Sequence, residues 1–107
     1  MNFLLTIRYK DSWYALPPER RSEIVAATVA YHEKYLKSGK LKDTYSFVGG
    51  KLMSVWNVAS FGEMVSVLGE HPYSFYVTYE NEPFIDHQEA VKVIADRAKA
   101  AKKAAKK

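Results

Sequence analysis

Apolar residues recur along this chain with two different periods, and the order of those periods restricts the fold more than any other feature. From Asn2 to Lys10, two sets of side chains alternate in steps of two, which predicts a β-strand with two unlike faces. From Pro18 to Ser38, apolar side chains recur at steps of three and four, which predicts a long helix with one apolar face. Gly39 follows where a glycine commonly ends a helix.

Turn and capping residues divide the rest of the chain. The remaining predicted elements are strands over Thr44–Val48 and Leu52–Val58 joined by a Gly49-Gly50-Lys51 turn, a helix from Ser60 to Gly69, a strand over Ser74–Glu80 broken by Asn81-Glu82-Pro83, and a helix from Asp86 to about Lys103. The order βαββαβ has right-handed crossovers, so it predicts a ferredoxin-like α+β domain: a four-stranded antiparallel sheet with both main helices on one face. We assign residues 1–88 to this domain and 89–107 to a C-terminal helix with a basic Lys/Ala tail.

The predicted strands carry large apolar side chains on both faces. In the first strand Phe3 and Ile7 lie opposite Leu4, and in the third Trp56 lies opposite Val55. Helices on one side of the sheet cover only one of these faces, and an apolar second face of that size needs a partner. A short chain also buries a small fraction of its own surface. We therefore expect a homodimer or a higher homo-oligomer.

The formal net charge of +4 comes from the end of the chain. Six of the sixteen basic residues lie between residue 97 and the C-terminus, and without them ten basic residues stand against twelve acidic ones. The body of the protein is thus not charged like a nucleic-acid-binding surface, and we expect no specific nucleic-acid partner.

Several kinds of site are disfavoured by the residue types present. The chain has no cysteine, so disulfides, thiolate metal sites and cysteine nucleophiles are excluded. His32, His71 and His87 include no pair three or four residues apart, so the spacing predicts no metal site. The first residues lack a signal-peptide pattern, and no apolar run approaches the roughly 20 residues of a membrane-spanning helix. We expect a soluble, cytoplasmic protein with no membrane partner.

A set of residues recurs along the chain at a characteristic spacing: after the apolar first strand come Leu16-Pro17-Pro18, Tyr31, Gly39-Lys40, Val48-Gly49, Ser54-Val55, Ser60, Glu63, Leu68, Pro72, Tyr76, Glu80, Pro83 and His87. Over residues 3 to 88 this pattern resembles the muconolactone isomerase family of the dimeric α+β barrel superfamily. The chain departs from the family where His71 replaces a leucine before Pro72. It also has Leu41-Lys42-Asp43 in place of the family's Trp-Arg-His before the second strand.

The resemblance implies a cofactor-independent isomerase that acts on a lactone or another small carbonyl compound in the catabolism of aromatic compounds. It also implies a dimer that can assemble further. Such a reaction removes a proton next to a carbonyl group, stabilises an enolate and returns a proton elsewhere. It therefore needs a base, an acid and an apolar enclosure.

Three residues are candidates for this chemistry. His71 lies in the loop before the fourth strand, beside Tyr73, and is either a titrating group of the site or an exposed loop residue. His32 lies on the apolar face of the first long helix and either reaches a pocket or is a hydrogen-bonded core residue. Arg8 either binds an enolate inside the pocket or forms a salt bridge at an edge. His87 is a weaker candidate, since helix capping explains it as well.

Aromatic side chains near the sheet are candidates for the walls of a pocket. The predicted substrate-binding residues are Tyr9, Trp56, Tyr73, Tyr76 and Glu80. Packing in the core or at an interface explains the aromatic residues equally well, and Glu80 would be a base only if it were desolvated. Two other functions stay open: a non-catalytic protein that binds a small molecule in the same pocket, and a cofactor-free monooxygenase of the same superfamily.

Overall fold

The structure, a computed structural model, describes residues 1–105. Its elements are β1 (Asn2–Tyr9), α1 (Asp11–Tyr14), α2 (Pro18–Ser38), β2 (Leu41–Phe47), β3 (Lys51–Asn57), α3 (Phe61–Gly69), β4 (Val77–Phe84) and α4 (His87–Ala105). The four strands form one antiparallel sheet in the order β2-β3-β1-β4. This order confirms the predicted ferredoxin-like α+β arrangement. The first strand lies in the interior of the sheet, and β4 lies at its edge.

The core lies on the sheet face that α2 and α3 cover. Alternate residues of β1 point to this face, and Phe3 and Leu5 are fully buried there, with Trp56 of the neighbouring strand opposite Phe3. The two helices contribute the buried side chains Ile24, Thr28, Tyr31, Tyr35, Met64 and Val67. Fully burying a side chain such as Leu5 stabilises the fold by about 1.5–3 kcal/mol.

The long helix α2 begins and ends where the sequence predicts. Pro18 occupies its first turn, where the missing N–H costs no hydrogen bond, and Gly39 closes it in the left-handed conformation with φ of 78°. Helix α3 begins after Ser60, whose hydroxyl accepts a hydrogen bond from the Glu63 N–H at 3.1 Å. Local backbone and side-chain features therefore set these helix ends.

The fourth strand differs from its prediction. Residues 72–76 form turns, closed by hydrogen bonds such as Tyr76 N–H to the Tyr73 carbonyl oxygen at 2.8 Å, and the strand runs on through Pro83 to Phe84. Pro83 was predicted to end this strand. It is tolerated because β4 is an edge strand, so the missing N–H breaks no ladder on its outer side. The short helix α1 was not predicted at all.

Helix α4 projects from the body of the protein. None of its residues is buried, and the apolar side chains Val91, Val93 and Ile94 are about half exposed or more. The radius of gyration is 18.9 Å, and the longest dimension is 70 Å. A compact domain of this length has a radius of gyration of about 13 Å. The predicted apolar side of this helix thus contacts little of its own chain.

In the part of the chain that the structure describes, no helix covers the second face of the sheet. It presents Leu4, Met53 and Val55 near its centre and the more exposed Tyr45 and Phe47 on β2. None of the helices within residues 1–105 contains an apolar stretch of membrane-spanning length.

Candidate functional site

His71 lies in the turn between α3 and β4 and is held there by the backbone. Its N–H donates to the Leu68 carbonyl oxygen at 3.1 Å, and its own carbonyl oxygen accepts the Ser74 N–H at 3.1 Å. The imidazole Nδ1 accepts the backbone N–H of Tyr73 at 3.2 Å. This last bond assigns the ring proton to Nε2, so the side chain is a neutral imidazole with one free donor.

His71 and His32 form a pair inside an aromatic cluster. Their ring centroids lie 5.9 Å apart at 82°. The rings of Tyr31, Tyr73 and Tyr79 lie 4.8, 5.4 and 6.3 Å from the His71 ring, respectively. His71 is only 3% exposed, whereas His32 is partly exposed. The fold therefore joins two histidines from distant elements, α2 and the turn before β4, between the sheet and its helices.

Burial keeps the groups of this cluster uncharged. It lowers the pKa of His71 to about 4, and the neighbouring His32 contributes to the same shift. Burial also lowers the pKa of His32 and raises the pKa of the Tyr31 and Tyr79 phenols. A charged imidazole or phenolate is disfavoured in a low-dielectric environment, so all four groups are neutral near pH 7.

Hydrogen bonds fix two of the tyrosines. The Tyr31 hydroxyl donates to the Val67 carbonyl oxygen at 2.7 Å and so joins α2 to α3. The Tyr79 hydroxyl donates to Ser74 Oγ at 2.9 Å, and Ser74 Oγ in turn donates to the His71 carbonyl oxygen at 2.7 Å. The walls around His71 are thus tied to its own turn.

Two residues that the sequence analysis missed lie near this cluster. Asn81 lies two residues from Tyr79 on the helix-covered face, and its buried Oδ1 has no hydrogen-bond partner within residues 1–105. The alternation from Tyr79 would have placed Asn81 on this face had the strand been extended. Trp13 of α1 is buried, with its ring 5.0 Å from Tyr73 and stacked 4.9 Å from Tyr9.

Two of the other predicted site residues, Arg8 and Glu80, do not join the histidines. Arg8 and Glu80 are exposed on the uncovered face of the sheet, since Thr6 pairs with Glu80 and Arg8 with Thr78. Arg8 therefore lies on the opposite face of the sheet from His71. The sheet separates Arg8 from any ligand that the histidines would hold.

The aromatic side chains that were predicted to line one pocket lie in different parts of the structure. Trp56 is fully buried in the core, where its Nε1–H donates to Ser54 Oγ at 2.8 Å. Tyr73 contacts both His71 and Trp13, while Tyr9 and the half-buried Tyr76 contact Trp13. His87 begins α4 and is exposed. Within residues 1–105, no three His, Cys, Asp or Glu side chains are grouped to hold a metal ion.

Solved structures, and not sequence comparisons, identify the fold of this chain. No protein-family model matches the chain, and no curated protein matches its sequence. Muconolactone isomerase superposes with a TM-score of 0.68 at 18% identity, over 81% of this chain and 91% of that chain. The fold is that of muconolactone isomerase.

A second enzyme has this muconolactone isomerase fold. The 5-chloro-2-hydroxyhydroquinone dehydrochlorinase of Burkholderia phenoliruptrix AC1100, solved in complex with 2,5-dihydroxybenzoquinone, superposes with a TM-score of 0.67 at 16% identity. The match covers 83% of this chain and 98% of that chain. The resemblance seen in the sequence is confirmed at the level of the fold.

Proposed function

We propose that this protein is a cofactor-independent enzyme that isomerises a small cyclic carbonyl compound, such as a lactone, by proton transfer. The observation that carries the proposal is the neutral pair of the buried His71 and the partly exposed His32 inside an aromatic cluster. The two solved neighbours support the substrate class, since one acts on a lactone by name and the other holds a quinone, a cyclic unsaturated carbonyl compound.

The two histidines have different roles in this proposal. His71 has its Nδ1 occupied by Tyr73, so its Nε2–H is the group free to donate to a carbonyl oxygen. A neutral imidazole with a lowered pKa is a suitable donor to a developing enolate. His32, which is partly exposed, is the base that removes the proton from the carbon next to the carbonyl.

The proposed reaction conserves all atoms and electrons. His32 takes the α proton, and the electron pair of that C–H bond forms a double bond to the carbonyl carbon while negative charge develops on oxygen. His71 stabilises that charge with its Nε2–H bond. Return of the proton to the γ carbon moves the double bond and regenerates neutral His32. No oxidant or reductant is consumed.

We also propose that two copies pair through the uncovered face of the sheet. Leu4, Met53 and Val55 form an apolar centre there, and exposed apolar patches of this kind mark interaction sites. Arg8 and Glu80 lie on this face, so in the dimer they would be interface residues rather than members of the histidine cluster.

The deciding experiment follows proton exchange and isomerisation of unsaturated γ-lactones by NMR in D₂O. His71→Asn keeps an oxygen that can accept the Tyr73 N–H but removes the Nε2 donor, and we expect turnover to fall about 100-fold or more. His87→Asn, in an exposed histidine outside the cluster, should leave turnover unchanged.

Two results would replace this proposal. Saturable binding of lactones without exchange or conversion would indicate a non-catalytic binding protein. Oxygen consumption with quinol substrates would instead indicate a monooxygenase. Full activity in both His71→Asn and His32→Gln would show that the pair has no catalytic role.

A further inference from the structure

A separate cavity lies between α1 and the first turns of α2. Its volume is about 480 Å³, within the range of about 300–1,000 Å³ typical of small-molecule sites. The lining residues are Trp13, Pro18, Arg21, Ser22, Val25 and Ala26. Neither His32 nor His71 lines it. The walls are mostly apolar, with one guanidinium group and one hydroxyl group among them.

Arg21 has no counter-charge in this cavity. Its Nε is buried without a hydrogen-bond partner, and it forms no salt bridge within residues 1–105. The preceding Arg20 differs, because its guanidinium pairs with Glu23 at 2.9 Å. A buried donor without a partner destabilises the protein, so an incoming acceptor would recover that free energy.

The position of Arg21 in the helix also favours an anion. It lies in the first turns of α2, where the positive end of the helix dipole disfavours a cation and favours negative charge. A carboxylate bound beside Arg21 would be attracted both by the guanidinium group and by the positive end of the helix dipole. Guanidinium groups bind carboxylates through two parallel hydrogen bonds, an arrangement that ammonium groups do not reproduce.

Trp13 supplies a flat and rigid wall beside this charge. Its indole ring is stacked on Tyr9 at 4.9 Å and met edge-on by Tyr73 at 5.0 Å, so its orientation is fixed from two sides. The aliphatic Val25 and Ala26 of α2 also line the cavity. A planar ring packs against an indole and small aliphatic groups better than a bulky aliphatic ligand does.

We propose that this cavity is a binding site for a planar aromatic carboxylate, with the carboxylate on Arg21 and the ring against Trp13. The site is distinct from the histidine pair, and the proposal does not depend on the proposed isomerase activity.

The test is isothermal titration calorimetry of the whole chain with benzoate, benzamide and acetate as probes. Benzoate should bind saturably, and the uncharged benzamide should bind about tenfold more weakly or worse, because it lacks the charge that Arg21 recognises. Acetate, which lacks the ring, should also bind more weakly than benzoate.

Variants locate the binding. Arg21→Gln should weaken benzoate binding about tenfold or more, whereas Arg20→Gln, with the same change in charge one residue away, should change it less than about twofold. Arg21→Lys should recover only part of the affinity, and Trp13→Leu should reduce benzoate to the level of acetate. Thermal melting of each variant shows that it is folded.

Three outcomes would overturn the proposal: no saturable benzoate binding by the wild-type chain, equal affinity for benzoate and benzamide, or equal losses in Arg20→Gln and Arg21→Gln. His71→Asn should bind benzoate normally. Loss of turnover in that variant with intact benzoate binding would separate this site from the histidine pair.

Discussion

The imidazole rings of His32 and His71 lie 5.9 Å apart and nearly perpendicular, at 82°, although 38 residues separate them along the chain. Burial disfavours a charged imidazole in this poorly solvated environment, and at His71 the repulsion from a charged His32 adds to that cost. The pKa of both histidines is therefore lowered, that of His32 through burial alone.

The stability of the protein should depend on His71 in acid. In the unfolded chain this group takes up a proton near pH 6.5, but in the folded chain only near pH 4. The unfolded state therefore binds more protons in this window, and stability falls as pH drops from 6.5 to 4. The His71 contribution to this loss is about 3 kcal/mol. Urea unfolding at several pH values measures it.

Two variants isolate that contribution. In His71→Asn the fall in unfolding free energy between pH 7 and pH 4 should be smaller than in the wild type by about the same 3 kcal/mol. His87→Asn removes an exposed histidine and should keep the wild-type pH dependence. Parallel curves for the wild type and His71→Asn would show that His71 is protonated equally in both states.

The Tyr31 hydroxyl should stabilise the packing of α2 against α3. Tyr31→Phe removes the 2.7 Å hydrogen bond to the Val67 carbonyl oxygen and keeps the ring in place. The loss should be about 1 kcal/mol, or about 4–8 °C in Tm for a domain of this size. Tyr14→Phe removes a hydroxyl from a mostly exposed ring and should shift the Tm little. Equal shifts in both variants would assign no special role to the Val67 bond.

Most of the fold was predictable because short stretches of the sequence determine its helices and strands. Period-two and period-3.6 patterns gave the order of the main elements, and Gly39 and Ser60 fixed helix ends through their own backbone and side-chain chemistry. The error at Pro83 had a tertiary cause, since a proline breaks an interior strand but is tolerated at an edge. Which strand is at the edge follows from the whole sheet, and not from residues near Pro83.

The candidate site was less predictable because it depends on contacts between distant elements. His32 and His71 were each chosen from their neighbours in sequence, but their proximity follows from how α2 packs beside the turn before β4. The alternation along β1 places Arg8 on the opposite face from Phe3 and Ile7. Whether Arg8 lies near the histidines depends on which of the two faces the helices cover, and the alternation does not give this. Trp13 gave no periodic signal because α1 is only one turn long.

Gly50 should be required in the hairpin turn for two separable reasons. Its φ is +83°, and a Cβ there would collide with the Tyr14 hydroxyl oxygen. Gly49, at φ of +99°, has open space at the same point. Both alanine variants should lose about 1–2 kcal/mol through the left-handed backbone, and Gly50→Ala should lose about 1 kcal/mol more through the collision.

A double-variant cycle checks the collision at Gly50. Tyr14→Phe removes the hydroxyl, so adding it to Gly50→Ala should recover most of the extra loss, while adding it to Gly49→Ala should recover nothing. Unfolding free energies from urea titration provide the measurement. An equal cost for the two glycine variants would show that the tyrosine moves away freely.

Substitution at the centre of the uncovered sheet face should separate the two copies of the proposed dimer. Val55→Glu places a charge beside Leu4, where two apolar faces would meet, and burying an unpaired carboxylate there costs several kcal/mol. Because that face contacts no helix, the monomer should keep its fold and its far-UV spectrum. Val29→Glu, at an exposed position of α2, should leave the dimer intact. Sedimentation equilibrium measures both, and a wild-type chain that is monomeric at micromolar concentration would contradict pairing through this face.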